Sequence, residues 1–536
     1  MVNMKYTDNE IDTKKDNYTI QYNFANDNML LFAILFLAVI TSVRAILNPQ
    51  LSGEDESLTF LAVNNILQSI YELDWKTFIF TIGTDWHPPG RNLLPVPFIA
   101  LLGDNITALR IPYWLMWIST CFLVAEIAGR LGGRGGAAIG GLLVAGTGLF
   151  NLEIQGLSHG AATFFGILVI REIILHPPDN LSCKENKAAF LRGSIWASLG
   201  FLFFTSLLPV AGLFHLLWLY PCFKFGNNIE KLKYFIILNI PFILFYVGYY
   251  LIFIGVPVWI IEFNGISILK NIMPGLIQEH WGSRPFGQYH QYLQRINGTE
   301  LNITSLKGNL ATITWAFAPI LGPVIVIFGI VGQILYAPRI LILTLPYFLI
   351  FSFYITGNTG QHFQSWFIWI LPFASQIILC ALKKSQRIGY VIGIPLLVTL
   401  FGFTWFAHIQ QYNEINYPHA FVKRIGGVPK WPQNLQRPLK LIAKDLEKIA
   451  GSSLLVAQEI DGAIELYYGK NINWVTPPKM EIKTYRNEDE VISCRTAPKI
   501  EIKALVSNIK STKFCSDSNV EYIKYPGSNL VTIVFP

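Results

Sequence analysis

The sequence Leu51-Ser-Gly-Glu-Asp-Glu-Ser57 follows an apolar run, residues 29–47, that is long enough to cross a bilayer. A second polar motif, Asp85-Trp-His-Pro-Pro-Gly90, lies further along the same loop. The segment between the two motifs predicts an amphipathic helix, because its apolar residues recur at helical spacing: Leu58, Leu61, Ile66, Ile70 and Leu73. We therefore expect ionisable side chains at a membrane surface, where water-soluble and lipid-borne molecules meet.

The composition of the whole chain is typical of a membrane protein. Of its 536 residues, 52% are hydrophobic and 14% are charged, whereas soluble domains carry about 25% charged residues. The formal net charge of +7 is modest, and the basic residues lie in short clusters between apolar runs. Such clusters are typical of topology control, so we expect membrane lipids and no nucleic acid as partners.

Hydropathy predicts about eleven membrane spans. They are residues 29–47, 107–129, 135–152, 159–175, 193–208, 210–223, 234–254, 313–335, 340–355, 365–382 and 389–409. The pair on either side of residues 205–209 is either a helical hairpin or one broken helix. The basic clusters share one side with the N-terminus, which the positive-inside rule makes cytoplasmic. The long loops, residues 48–106 and 255–312, then face outward.

Three regions are expected along the chain of this multi-pass protein. Residues 1–28 are polar and predict a disordered cytoplasmic tail, and residues 29–409 form the all-α membrane module. Residues 410–536 predict a small extracytoplasmic α/β domain, with a helix at 438–450 and strands at 454–458, 463–468, 501–506 and 530–535. In that compartment Cys494 and Cys515 could form a disulfide or remain free thiols.

A family resemblance rests on several motifs in a fixed order. His87-Pro-Pro-Gly90 is followed by Phe98-Ile-Ala-Leu-Leu-Gly-Asp104, Ala108-Leu-Arg-Ile-Pro112 and, one span later, Ala128-Gly-Arg-Leu-Gly-Gly-Arg134. This order resembles the polytopic GT-C glycosyltransferases, specifically the protein O-mannosyltransferase and lipid A aminoarabinose transferase group. The segment His362-Phe-Gln-Ser-Trp-Phe-Ile-Trp-Ile-Leu-Pro372 is similar to the aromatic turn of that group. The resemblance covers the first loop and its flanking spans well, and the later spans in layout only.

The resemblance implies an inverting transfer of a sugar from a polyprenyl-phosphate donor to a protein, glycan or lipid acceptor outside the cell (inner) membrane. The acceptor hydroxyl must lose its proton, so a carboxylate serves as general base. Asp55, with Glu56, matches the acidic pair of the family. His87 matches the position that faces the lipid phosphate, whose growing charge needs a cationic or N–H donor. No cofactor and no metal ligand is implied, and a need for a divalent metal is left open.

Further polar residues are expected to bind the substrates. In relatives the turn after the third span carries an acidic residue; here Glu153 or His159 takes that place, or the second carboxylate is missing. Aromatic residues beside His280, Arg284 and His290 suit sugar stacking and equally suit an interfacial aromatic belt. The complete set of expected substrate-binding residues is His87, Arg91, Glu54, Glu153, His159, His280, Arg284, His290 and His362.

Two charged groups near the spans have simpler interpretations. Glu126 and Arg130 are four residues apart, which favours an ion pair within one helix. Arg110 is expected to extend to the outer interface, although it could also reach a lipid phosphate. The alternative to catalysis is a lipid-binding or transport protein with a lipid-phosphate groove, or a degenerate relative that binds a partner. Transporters usually have inverted repeats, and the sequence lacks such symmetry.

Overall fold

The computed structural model describes a helical part and short segments of the C-terminal part of the chain. The helical part comprises residues 22–47, 54–75, 89–146, 158–177, 184–204, 210–217, 321–349 and 360–384. The C-terminal segments are residues 454–457, 473–474, 502–508, 521–524 and 530–534, and a few single residues lie between these ranges.

Eleven helices are present in the described ranges. They are α1 (Asn28–Leu47), α2 (Glu54–Tyr71), α3 (Gly90–Leu93), α4 (Val96–Leu102), α5 (Ile106–Ala145), α6 (Ser158–Leu175), α7 (Lys184–Phe203), α8 (210–217), α9 (Leu321–Tyr336), α10 (Pro338–Leu349) and α11 (Gly360–Lys384). Two of them, Ile106–Ala145 and Phe363–Lys384 within α11, are long and apolar enough to cross a membrane.

Helix α5 is in fact two helices that fold back on each other at Gly133. The φ of this residue is 67°, in the left-handed region that favours glycine, and its ψ is −158°. Beyond the break the helices pack without room for larger side chains: a Cβ at Gly140 would lie 2.6 Å from Ala128 Cβ. Small residues permit such close helix packing in membranes. The break confirms the loop that hydropathy predicts between residues 129 and 135.

The long helices alternate in direction. Trp114 on the first half of α5 donates to Ser42 Oγ on α1 at 2.7 Å, near the end of α1 and the start of α5. Ser194 on α7 and His215 on α8 lie 2.8 Å apart, and the rings of Phe190 and Phe214 stack with centroids 5.5 Å apart. Helices α7 and α8 are therefore a hairpin, which decides between the two interpretations of this region. Helix α7 begins at Lys184, nine residues before the predicted span, because it extends beyond its apolar part.

One end of the bundle carries an ion-pair network between helices. Arg171 on α6 donates to both carboxylate oxygens of Glu126 on α5, at 2.6 and 2.8 Å. Arg171 also pairs with Glu172 at 3.2 Å, and Arg192 on α7 pairs with the same carboxylate at 2.8 Å. The interpretation of Glu126 and Arg130 as a pair within one helix is therefore wrong, because the partner of Glu126 comes from a neighbouring helix.

At the same end, a second cluster anchors the start of α1. Asp27 accepts hydrogen bonds from the Leu30 backbone N–H at 3.1 Å and the Tyr22 hydroxyl at 2.9 Å, and it pairs with Arg134 at 2.7 Å. These contacts, that of the Leu30 N–H first, lower the pKa of Asp27. Burial and the hydrogen bond to Asp27 raise the pKa of Tyr22 to about 12. An acidic group at this position also complements the helix dipole.

The C-terminal segments form one five-stranded mixed sheet. Its strands are β1 (Leu454–Ala457), β2 (Asn473–Trp474), β3 (Ile502–Asn508), β4 (Glu521–Lys524) and β5 (Leu530–Val534), in the spatial order β2-β1-β3-β5-β4. Strand β1 is parallel to β2 and β3, whereas β5 is antiparallel to β3 and β4. The predicted strands near 454, 501 and 530 are present, while the predicted strand at 463–468 and the domain boundary near 410 lie outside the described residues.

Candidate active site

The centre of the candidate site is an ion pair between α2 and α5. Arg110 Nε lies 2.6 Å from Glu56 Oε1, and Arg110 Nη2 lies 2.8 Å from Glu56 Oε2. The Glu56 side chain is 0% exposed and that of Arg110 is 3% exposed. Two parallel hydrogen bonds satisfy the geometry of both groups, as burial of opposite charges requires. The prediction that Arg110 extends to the interface is therefore wrong, because the guanidinium turns inward to neutralise Glu56.

Apolar packing holds α2 in place around this pair. Phe60 and Val63 on α2 are buried together with Ile99 on α4 and with Ala108 and Leu109 on α5. On α2, Phe60, Val63 and Ile66 are buried at intervals of three residues, so the helix is amphipathic as predicted. Its buried face differs from the predicted one, since Phe60 and Val63 were not assigned to it and Leu73 is 70% exposed. Helices α4 and α5 therefore hold α2, whose first turn contains Glu54, Asp55 and Glu56.

Helix α3 brings Arg91 to the same end of the bundle. The Arg91 side chain is 1% exposed, and the Tyr113 hydroxyl on α5 donates to the Arg91 carbonyl at 2.8 Å. Tyr113 lies one helical turn after Arg110, so the ion pair and α3 share one face of α5. On its other side, α3 contacts α7: a Cβ at Gly90 would lie 2.8 Å from the Leu202 carbonyl oxygen. Glycine is thus required where the His-Pro-Pro motif ends.

His159 lies at the start of α6, next to the end of α7. Its side chain is 3% exposed, and its ring contacts the edge of Phe204 with centroids 5.0 Å apart. The His159 carbonyl accepts a hydrogen bond from the Thr163 hydroxyl at 3.0 Å. Through Thr163 the residue is also connected to α11, since the hydroxyl oxygens of Thr163 and Ser365 lie 2.8 Å apart.

The structure therefore brings three of the predicted site residues to one end of the bundle, opposite the end with the Arg171 network. These residues are Glu56, Arg91 and His159. The helices that carry them are joined by contacts between α5 and α3, between α3 and α7, and between α6 and the end of α7. His362 lies in the first turn of α11, and Ser365 of that helix contacts Thr163. His87, Glu153, His280, Arg284 and His290 lie outside the described residues, as do the side chains of Glu54 and Asp55.

Two contacts at this end were not predicted. Arg110 was expected at the outer interface or on a lipid phosphate and not on Glu56, and Tyr113 was not considered. A buried carboxylate at the start of an amphipathic helix needs a cation. Arg110 is the nearest arginine in the span that follows α2, so the sequence contained a signal for this pairing.

The described ranges contain no group of three or more His, Cys, Asp and Glu side chains that could hold a metal ion. The carboxylate of Glu56 is occupied by Arg110, so among the described residues no oxygen-rich cage of the kind preferred by divalent cations is present.

The arrangement of helices is that of the GT-C membrane glycosyltransferases. ArnT from Cupriavidus metallidurans superposes with a TM-score of 0.53 and 11% identity in the apo state, over 94% of this chain and 97% of that one. The same protein bound to undecaprenyl phosphate gives a TM-score of 0.52, also with 11% identity and with the same shares of both chains. The two proteins therefore share a fold over most of both chains.

A second GT-C glycosyltransferase is also similar. The oligosaccharyltransferase AglB from Archaeoglobus fulgidus, in complex with an inhibitory peptide and a dolichol-phosphate, has 13% identity and a TM-score of 0.47. That comparison covers 90% of this chain and 70% of that one. No family model and no curated protein sequence matches the chain. The comparison with ArnT confirms, at the level of the fold, the resemblance inferred from the motifs.

Proposed function

We propose that the protein is a glycosyltransferase that moves a sugar from a polyprenyl-phosphate donor to an acceptor at the outer face of the cell membrane. The end of the bundle with Glu56, Arg91 and His159 would then face outward, and the end with Arg134 and Arg171 would face the cytoplasm. The excess of basic clusters at the second end supports this orientation. The fold shared with ArnT, which binds undecaprenyl phosphate, supports the class of donor.

Asp55 is the proposed general base. It lies in the first turn of α2, directly before Glu56, whose carboxylate is held by Arg110 through two hydrogen bonds. This buried pair is the observation that carries the proposal, because it fixes the start of α2 at a polar end of an otherwise apolar bundle. A carboxylate in a fixed position can accept the proton of an acceptor hydroxyl as that oxygen attacks the anomeric carbon. The sugar is transferred with inversion.

Glu56 has a different task in this scheme. Both of its oxygens are occupied by Arg110, so it positions the first turn of α2 and does not exchange protons with the acceptor. His87 is proposed to contact the leaving phosphate, and Arg91 would supply positive charge nearby. Since α3 begins directly after the His-Pro-Pro motif and is packed against α5 and α7, the motif ends on a fixed support.

The proposal is tested with purified full-length protein and a pool of polyprenyl-phosphate-linked sugars extracted from the source membranes. Release of free polyprenyl phosphate in the presence of acceptor is measured for the wild type and Asp55→Asn. We expect a loss of about 100-fold or more in Asp55→Asn, because general-base catalysis contributes about 10²–10⁴-fold. The matched control is Glu72→Gln, which changes an exposed carboxylate just after α2 that accepts from Gln68 at 2.8 Å.

Two outcomes contradict the proposal. Equal release by Asp55→Asn and the wild type removes Asp55 as the base. Binding of polyprenyl phosphate without release from any donor in the pool favours the alternative, a lipid-binding protein without catalysis.

A further inference from the structure

A buried indole at the outward end of α11 has no hydrogen-bond partner among the described residues. Trp366 is 2% exposed, and its Nε1 atom is without a partner in the part of the chain that the structure describes. Two other indoles of the bundle are bonded: Trp369 donates to the Thr163 carbonyl at 3.0 Å, and Trp114 donates to Ser42 at 2.7 Å. A buried N–H without a partner is costly, so a bound acceptor would stabilise Trp366 at this position.

Trp366 belongs to an aromatic cluster between α10 and α11. Its ring lies 4.6 Å from that of Phe348 and 4.9 Å from that of Phe363, measured between centroids. Phe348 is half-buried, and its neighbours Leu345 and Leu349 on α10 are 44% and 40% exposed. The cluster is therefore buried beneath the exposed leucines of α10. An aromatic wall with a single N–H donor suits an apolar chain that carries an oxygen acceptor.

The cluster is adjacent to the candidate active site. Ser365, the residue before Trp366, lies 2.8 Å from the Thr163 hydroxyl and 3.5 Å from the His159 carbonyl. One turn further along α11, Trp369 is packed against Gly166, where a Cβ would lie 2.6 Å from the indole nitrogen. The helix is thus held tightly on the α6 side, while Trp366 packs against Phe348 on the α10 side.

We propose that the indole N–H of Trp366 donates a hydrogen bond to the phosphate of a prenyl-phosphate lipid whose chain lies against Phe348 and Phe363. The inference rests on the proposed function, since it assigns the phosphate of the lipid-linked donor to a position beside Trp366 on α11. A phosphate oxygen is a strong acceptor, and hydrogen bonds to charged groups are stronger than neutral ones. The lipid enters from the bilayer along α10, next to the exposed leucines.

The test uses full-length protein and two probes, a polyprenyl phosphate and the matching polyprenol without phosphate. The dissociation constants of both are measured for the wild type, Trp366→Phe and Trp369→Phe, together with the melting temperatures. We expect Trp366→Phe to weaken binding of the phosphate lipid roughly tenfold or more. Binding of the polyprenol is expected to stay unchanged. The melting temperature should fall through lost packing alone, and by less than in Trp369→Phe, because no hydrogen bond within the described structure is lost.

Trp369→Phe is the matched control, since it removes an indole N–H that is bonded to Thr163. It is expected to lower the melting temperature and to leave binding of the phosphate lipid within about twofold of the wild type. Wild-type affinity of Trp366→Phe for the phosphate lipid overturns the inference. An equal loss for the polyprenol also overturns it, since the phosphate is then not the acceptor. If the wild type binds no polyprenyl phosphate, the proposed function itself fails.

Discussion

Replacement of Arg110 by methionine tests the central contact of the candidate site. Methionine keeps most of the volume of arginine but removes both hydrogen bonds to Glu56, which span 2.6 and 2.8 Å. The Glu56 carboxylate is 0% exposed, so water cannot replace the lost donor without a rearrangement of α2. The variant therefore removes the cation that neutralises a buried carboxylate.

The expected cost follows from that burial. Removal of one partner from a buried ion pair costs roughly 3–5 kcal/mol, and the complete burial of Glu56 places this pair toward the upper value. In the double variant Arg110→Met with Glu56→Leu, neither charge remains to be desolvated. Its loss is expected to be smaller than the sum of the single losses by roughly 2–3 kcal/mol.

The assay is equilibrium unfolding of the wild type, both single variants and the double variant in mixed micelles. Full additivity, within about 0.5 kcal/mol, would refute the coupling of the two side chains. Sugar transfer is measured in parallel. Because Glu56 is proposed to position α2, the single variants should lose turnover although Asp55 is unchanged. Full turnover in Glu56→Leu would contradict that role.

Two further predictions concern packing and pH. Gly166→Ala places a Cβ 2.6 Å from Trp369 Nε1, so it should lower stability by roughly 1–3 kcal/mol in thermal melts. The control Gly212→Ala, which has no neighbour within 4 Å, should leave stability unchanged. Equal melting temperatures of the two variants would contradict the α6–α11 contact. The pKa of Asp27 is lowered in the folded protein, mainly by the hydrogen bond from the Leu30 N–H. The ionised carboxylate therefore stabilises the fold fully above the ordinary pKa of 3.8, and this stabilisation is lost as the pH falls through the lowered pKa. The difference in melting temperature between the wild type and Asp27→Asn should accordingly shrink in acid, and a difference independent of pH would argue against the cluster.

Local sequence patterns predicted much of the helical part. The break at Gly133 was predicted because basic and glycine residues interrupt the apolar run, and that interruption is local information. The amphipathic helix α2 was likewise visible in the spacing of Ile66 and its neighbours. The start of α7 was missed because hydropathy marks the apolar part of a helix and not its polar extension.

Partners across helices were beyond the reach of spacing. Glu126 pairs with Arg171, 45 residues away, and Glu56 pairs with Arg110, 54 residues away. Such contacts depend on which helices become neighbours, and this follows from the packing of the whole bundle. The sequence could place Glu56 among the site residues but could not indicate that Arg110 occupies both of its oxygens.

The most direct test of the account is a mass-spectrometric comparison of cell-surface glycoconjugates in cells with and without the gene. We predict that deletion removes one sugar from a surface glycan, lipid or protein, and that the wild-type gene and Glu72→Gln restore it while Asp55→Asn does not. An unchanged set of glycoconjugates after deletion, or full restoration by Asp55→Asn, would contradict the account.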